Sequence, residues 1–250
     1  MRPPTQRGLG RRPEPLAGFQ KFELDRRVVY LRCDLAARAP SIVASLSTLG
    51  SAAGAGNRFS GFALKLEDGT ELFARINRRG GLIRLVLKDR YMGISARPVR
   101  ELAVAAEARR RGIPVAEPIG AVVEWVAPIV YRGIFLTRAM AGMTLWEFLC
   151  TDDDVFVRAH VIEQARRALD TMHRLGLFHA DLNLHNLFVT KARESFAVAI
   201  LDLDKAQLLQ GPVPARMRTR NFARLRQSVR KLDPDGRHLD SRALELLTRA

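Results

Sequence analysis

The stretch His179-Ala180-Asp181-Leu182-Asn183-Leu184-His185-Asn186 decides how the rest of this chain is read. It packs one carboxylate, two amides and two imidazoles into eight residues, between a helical pattern that stops at Gly176 and the apolar strand pattern Leu187–Val189. A second segment, Ala197-Val198-Ala199-Ile200-Leu201-Asp202-Leu203-Asp204, is an apolar strand pattern that runs into two acids. Asp181, Asn186 and Asp202 are therefore polar groups set beside apolar strands. Phosphoryl transfer calls for such a set: one carboxylate to orient an acceptor hydroxyl and take its proton, and a carboxylate with an amide to hold Mg²⁺ against phosphate charge. A zinc cluster built on His179, Asp181 and His185 is disfavoured, because no cysteine lies near.

Outward from this segment, the second half reads as mostly helical. Thr144–Leu149 forms a short helix. Asp154 or a neighbour caps a longer one that runs to Leu175, with Val157, Val161, Ala165, Ala168, Leu169 and Met172 as its apolar stripe. Phe222, Leu225, Val229 and Leu232 mark another amphipathic helix, and Ser241–Thr248 a last one. The first half reads as strands with one helix late in it. The strands are Val28–Leu31, Phe62–Leu66 and Glu71–Ile76 across an Asp68-Gly69 turn, then Pro118–Val126 and Ile129–Thr137. The helix, Arg97–Arg111, stops at Gly112 ahead of Pro114. Ser51–Gly61 reads as a glycine-containing loop.

Composition sets outer bounds. The 250 residues are 47% hydrophobic and 27% charged, a globular profile with no run long enough to span a membrane. The arginine-rich start lacks a secretory pattern, and residues 1–18 are expected to form a disordered basic tail. Cys33 and Cys150 suggest no disulfide framework and fit a reducing cytoplasm. The net charge of +15 asks for an anionic partner. From Lys205 to Leu232 eight residues are Lys or Arg and none is acidic.

The spacing His-x-Asp-x-x-x-x-Asn, followed by an apolar strand ending in Asp, resembles the catalytic loop and metal-binding Asp of protein kinase-like enzymes. The phrases RRGGLIRLVLKDRY at 78–91, GIPVAEPIGA at 112–121, FLTRAMAG at 135–142, GLFHADLNLHNLFV at 176–189, ILDLDKA at 200–206 and NFARLRQSVRKL at 221–232 resemble the lipopolysaccharide kinase family, and within it the Kdo (3-deoxy-D-manno-octulosonic acid) kinases. The resemblance implies an α+β, two-lobed protein kinase-like fold. A small antiparallel β-rich lobe with one helix would cover 19–138, a compact helical catalytic lobe 139–250, and ATP would lie where the two meet near 137–144. It implies Asp181 as catalytic base, Asn186 and Asp202 as Mg²⁺ ligands, and His179 as a packing residue. Arg75 stands in place of the usual phosphate-binding Lys, with Glu101 as its ion-pair partner and Glu107 as the weaker choice. Gly54 and Gly56 would approach the phosphates, and backbone groups of Thr137 and Ala139 the adenine.

The implied reaction is ATP-dependent phosphorylation of the 4-hydroxyl of a Kdo sugar on a lipid A precursor, by a peripheral protein on the cytoplasmic face of an inner membrane. The implied partners are an anionic glycolipid and the anionic membrane surface, with no nucleic acid. Only 48 residues follow Asp202, and Ala180 and Asn183 differ from protein kinases, which favours a small or lipid-linked acceptor over a protein. The loop at 50–61 lacks a full G-x-G-x-x-G, and Asp204 stands where Asp-Phe-Gly has Gly. Two other readings stay open: a heptose or other small-molecule kinase of the same fold, and an inactive kinase-like binding module.

Overall fold

The computed structural model describes residues 16–52, 61–76, 91–92, 96–127, 130–192 and 195–249. Two compact units emerge: residues 1–99 with 119–136, and residues 100–118 with 137–250. The expected α+β class is the observed one, with antiparallel strand pairing concentrated in the first unit and helices in the second.

The first unit carries most of a sheet with seven strands among the described residues, β1 (Phe19–Leu24), β2 (Arg27–Arg32), β3 (Gly61–Lys65), β4 (Glu71–Ile76), β5 (Tyr91–Met92), β6 (Pro118–Ala127) and β7 (Val130–Arg138). Their order is β1-β2-β6-β7-β4-β3, with β5 beside β7. The β3–β4 hairpin turns at the expected place. Asp68 accepts from the Thr70 N–H and hydroxyl, and Gly69 takes the left-handed conformation the turn requires.

A helix that the sequence reading omitted, α1 (Ala39–Ala52), packs against this sheet. Its serine, threonine and glycine content looks like loop. Yet Ile42, Val43 and Leu46 fall at helical spacing and are buried with Val29, Leu31, Leu72, Ile119 and Leu136. Burial of that stripe outweighs weak intrinsic propensity. Residues 51 and 52 accordingly end this helix rather than begin a loop, and Gly54 and Gly56 lie outside the described residues.

The second unit takes in most of α2 (Arg97–Arg110), then β8 (Met143–Thr144), α3 (Leu145–Thr151), α4 (Val155–Arg174), β9 (Leu177–His179), β10 (Leu187–Ala192), β11 (Ser195–Ile200), β12 (Ala206–Leu208), α5 (Ala215–Leu232) and α6 (Ser241–Thr248). Thr144 opens α3 with a reciprocal capping box to Glu147. Asp154 caps α4 as expected, accepting from the Phe156 and Val157 N–H groups. The stripe on α4 is buried at Val161, Ala165, Ala168, Leu169 and Met172, and α4 packs on β11 and α6. Phe222, Leu225 and Val229 bury the inner face of α5, each side chain contributing about 1.5–3 kcal/mol.

Candidate active site

The site is built where α4 gives way to β9. Gly176 sits at φ 87°, a conformation open to glycine at little cost, and turns the chain out of the helix. A Cβ there would lie 2.5 Å from the Gly211 carbonyl oxygen and 2.8 Å from that of Leu209. Strand β9 then pairs with β12, with His179 opposite Ala206, and delivers His179 into the interior.

Both ring nitrogens of His179 are committed. Nε2 donates to the Leu201 carbonyl at 2.9 Å, and Nδ1 accepts from the Asp181 N–H at 3.3 Å. Only the neutral Nε2–H tautomer satisfies both. Burial, opposed by the bond to Leu201, pushes the imidazole below its ordinary value and keeps it in that form. His179 is thus a packing group, and His185 is exposed on the loop.

The loop closes on the backbone of Asp181. Its carbonyl accepts from Asn183 Nδ2 at 2.9 Å and Asn186 Nδ2 at 3.0 Å. Asn183 Oδ1 in turn caps the short 3₁₀ turn Leu184–Asn186 through the His185 N–H. Because Asn186 spends its amide nitrogen on Asp181, Oδ1 is the atom it has for a cation. Leu201 then joins the two segments: its N–H donates to the Asn186 carbonyl at 2.9 Å, while its own carbonyl takes the His179 bond. Asp202 follows directly, at φ 57°, a left-handed backbone that a non-glycine residue holds only when its surroundings impose it. Asp181, Asn186 and Asp202 are in this way brought into one neighbourhood by bonds that all end on main-chain carbonyls. The oxygen donors gathered here, Asn186 Oδ1 and the Asp202 carboxylate, suit a hard divalent cation such as Mg²⁺.

Two residues of α5 complete the arrangement, and the sequence reading missed both. Buried Asn221 lines up with β9 as a strand neighbour would. Its Nδ2 donates to the His179 carbonyl at 2.6 Å, and its Oδ1 accepts from the His179 N–H at 3.4 Å and from His173 Nε2 at 3.0 Å. Arg224 reaches the carboxylate itself, with Nη2 2.6 Å and Nε 3.2 Å from Asp181 Oδ1. The available signal was an Asn inside the apolar stripe of α5, beside Phe222.

The other expected site residues are spread over both units. Arg75 is on β4 in the first unit, its guanidinium over the Phe135 ring at 5.9 Å. Glu101 is on α2 in the second unit and is buried. Thr137 is near the end of β7 and Ala139 just beyond it, both half-buried. Glu107 is engaged on the outer side of α2 by Arg110 and Arg111, whose hydrogen bonds lower its carboxyl to about 2. Arg111 also donates to the Leu209 and Leu175 carbonyls beside Gly176, tying α2 to the turn that starts the site.

Comparison with known proteins identifies the family of this chain. Residues 48–244 match the Lipopolysaccharide kinase (Kdo/WaaP) family. A 3-deoxy-D-manno-octulosonic acid kinase of Xylella fastidiosa (strain 9a5c) is 32% identical over 159 residues, which cover 62% of this chain and 60% of that protein. A protein of the same name from Actinobacillus succinogenes is 29% identical over 156 residues, covering 61% of this chain and 63% of that one. The matched stretch therefore spans about 60% of the length of these curated relatives. Among solved structures, WaaP in complex with acyl carrier protein superimposes with a TM-score of 0.48 and 18% identity, over 78% of this chain and 77% of that one. With its family match covering most of its length, the chain belongs to the lipopolysaccharide kinase (Kdo/WaaP) family.

Proposed function

We propose that this chain is an ATP-dependent kinase that phosphorylates the 4-hydroxyl of a Kdo sugar carried on a lipid A precursor. The observation that carries the reading is the double bond-in of Leu201, which fixes the Asp202 backbone against both Asn186 and His179. Family membership and relatives named as Kdo kinases support the acceptor class.

In this reading Asp181 faces the acceptor hydroxyl. As the hydroxyl oxygen bonds to the γ-phosphorus and the bond to the leaving ADP oxygen breaks, the hydroxyl proton passes to the Asp181 carboxylate. Asn186 and Asp202 hold Mg²⁺, which supplies neutralisation of phosphate charge when bound. Asp181 is poised for its part because its backbone carbonyl is occupied by Asn183 and Asn186, which orients the residue before substrate arrives. For the nucleotide, the family resemblance assigns Gly54, Gly56 and Arg75 to the phosphates and backbone groups of Thr137 and Ala139 to the adenine. Residues 19–138 act as the nucleotide lobe and 139–250 as the catalytic lobe. Attraction between the basic surface and an anionic leaflet holds the protein at the cytoplasmic face of the inner membrane. No described helix is long and apolar enough to cross one.

The test is transfer from labelled ATP–Mg²⁺ to Kdo-lipid A by wild type and Asp181→Ala. The wild type is expected to transfer. The variant should lose about 10²–10⁴-fold, the usual worth of a general base. Transfer only to a heptose or another sugar would move the reading to that acceptor. ATP binding without turnover on any acceptor would move it to an inactive kinase-like module.

A further inference from the structure

Helix α5 presents two different faces. Asn221, Phe222, Leu225 and Val229 are buried, while Arg216, Arg220, Arg224, Arg230 and Lys231 are exposed. Arg216, Arg220 and Arg224 are spaced four residues apart, so they form a row that advances about 6 Å per step. The row ends on the catalytic loop, where Arg224 meets Asp181.

Stability does not account for this row. Like charges four residues apart weaken a helix by a few tenths of a kcal/mol per pair. Cations in the first turn oppose the helix dipole, and α5 has no acid there to compensate. Among the described residues, neither Arg216 nor Arg220 has a carboxylate partner. The Arg224–Asp181 pair itself is open to water, with side chains 50% and 36% exposed. Such a pair adds little to stability. Its geometry is more telling. Both guanidinium contacts fall on Oδ1, so Oδ2 is the oxygen available to an acceptor proton, while the guanidinium edge stands beside the place where that acceptor must lie.

We propose that Arg216, Arg220 and Arg224 read the negative groups flanking the acceptor hydroxyl, with Arg224 taking the group nearest the reacting oxygen and Arg220 and Arg216 those farther out. This rests on the kinase reading and adds to it a residue-level basis for acceptor choice. The ligand chemistry is a run of carboxylate or phosphate groups, and arginine suits both through its planar fork.

The test uses the full chain and four variants: Arg216→Gln/Arg220→Gln, Arg224→Gln, Arg224→Lys and Asp181→Ala. With Kdo-lipid A in detergent at 0.15 M salt, the double variant should raise the acceptor KM at least tenfold while KM for ATP stays within twofold, and should flatten the salt dependence of the acceptor KM. Arg224→Gln should raise the acceptor KM and lower kcat, and Arg224→Lys should recover part of the loss. In the wild type, competition by free Kdo assigns the row to a carboxylate, and competition by the Kdo-free phosphorylated lipid precursor assigns it to phosphate. Competition by neither overturns the proposal. So does an acceptor KM and salt dependence unchanged in the double variant, or an equal loss of binding to phosphatidylglycerol vesicles, which would make the row a general membrane face. Nucleotide-free titration with Kdo-lipid A separates this proposal from the kinase reading. If the wild type transfers nothing, tenfold weaker binding by the double variant still supports the row, and equal binding refutes it.

Discussion

Replacing Asn221 by alanine should unfold the second unit at a much lower temperature. The side chain satisfies two buried partners at good distance, the His179 carbonyl at 2.6 Å and His173 Nε2 at 3.0 Å, and a third, the His179 N–H, at 3.4 Å. Removing it orphans these groups in a place with almost no solvent access, since Asn221 is 1% and His179 1% exposed. Each orphaned buried group costs about 1–3 kcal/mol, so the two short bonds alone set the loss near 4 kcal/mol. In a chain of this size that lowers the transition midpoint by roughly 8–16 °C. Trp146 reports on this unit through its edge contact with His238, and Trp125 belongs to the first unit. Fluorescence-detected melting in a Trp125→Phe background therefore follows the right transition. Asn221→Leu, which restores volume without hydrogen bonds, should fall with Asn221→Ala. A shift below about 2 °C in both would refute the argument, because the orphaned groups would then have found water.

Three further outcomes follow from the same structure. Gly176→Ala should cost more than about 2 kcal/mol, combining a left-handed backbone with a Cβ driven onto the Gly211 and Leu209 carbonyls, and urea unfolding measures it. Asp202→Ala should be about 1 kcal/mol less stable than Asp202→Gly, since only glycine takes φ 57° without strain, and both should lose phosphoryl transfer. His173 and His179 are both held below their ordinary values, chiefly by burial, so near pH 6.5 the unfolded chain binds more protons than the folded one. Stability is then full above about pH 7 and should fall on acidification by up to roughly 2.7 kcal/mol per pH unit for the two together, levelling out below their folded values. Melting temperatures from pH 7.5 to 5.5 check this, and His173→Gln should flatten the profile.

The nearness of Asp181, Asn186 and Asp202 in the candidate site was readable because they lie close in the sequence. The His-x-Asp-x-x-x-x-Asn spacing and the strand ending at Asp202 lie within two dozen residues. Local bonds such as Asn183 to the Asp181 carbonyl follow from that proximity. Gly176 and the Asp154 cap were readable for the same reason: a helix end states its needs locally. Asn221 and Arg224 were not. Their partners lie 42 and 43 residues earlier, and only the packing of α5 on β9 and the turn at Leu184–Asn186 decides which of its many polar side chains meet that segment. Helix α1 was missed because its composition argues for loop, while its burial against a sheet formed by distant strands argues for helix.

The Leu201 amide has a consequence for how the protein can be watched. Its N–H ends on the Asn186 carbonyl, and its carbonyl accepts from a buried imidazole, so the amide proton is released only when the Leu184–Asn186 turn and the segment following β11 separate. Hydrogen exchange at this one amide is therefore a clock for opening of this segment, slow while Asn186 and Asp202 keep their spacing and fast when they lose it. Asn186 and Asp202 are spaced by the main chain itself, so the Leu201 amide should exchange slowly in the protein alone.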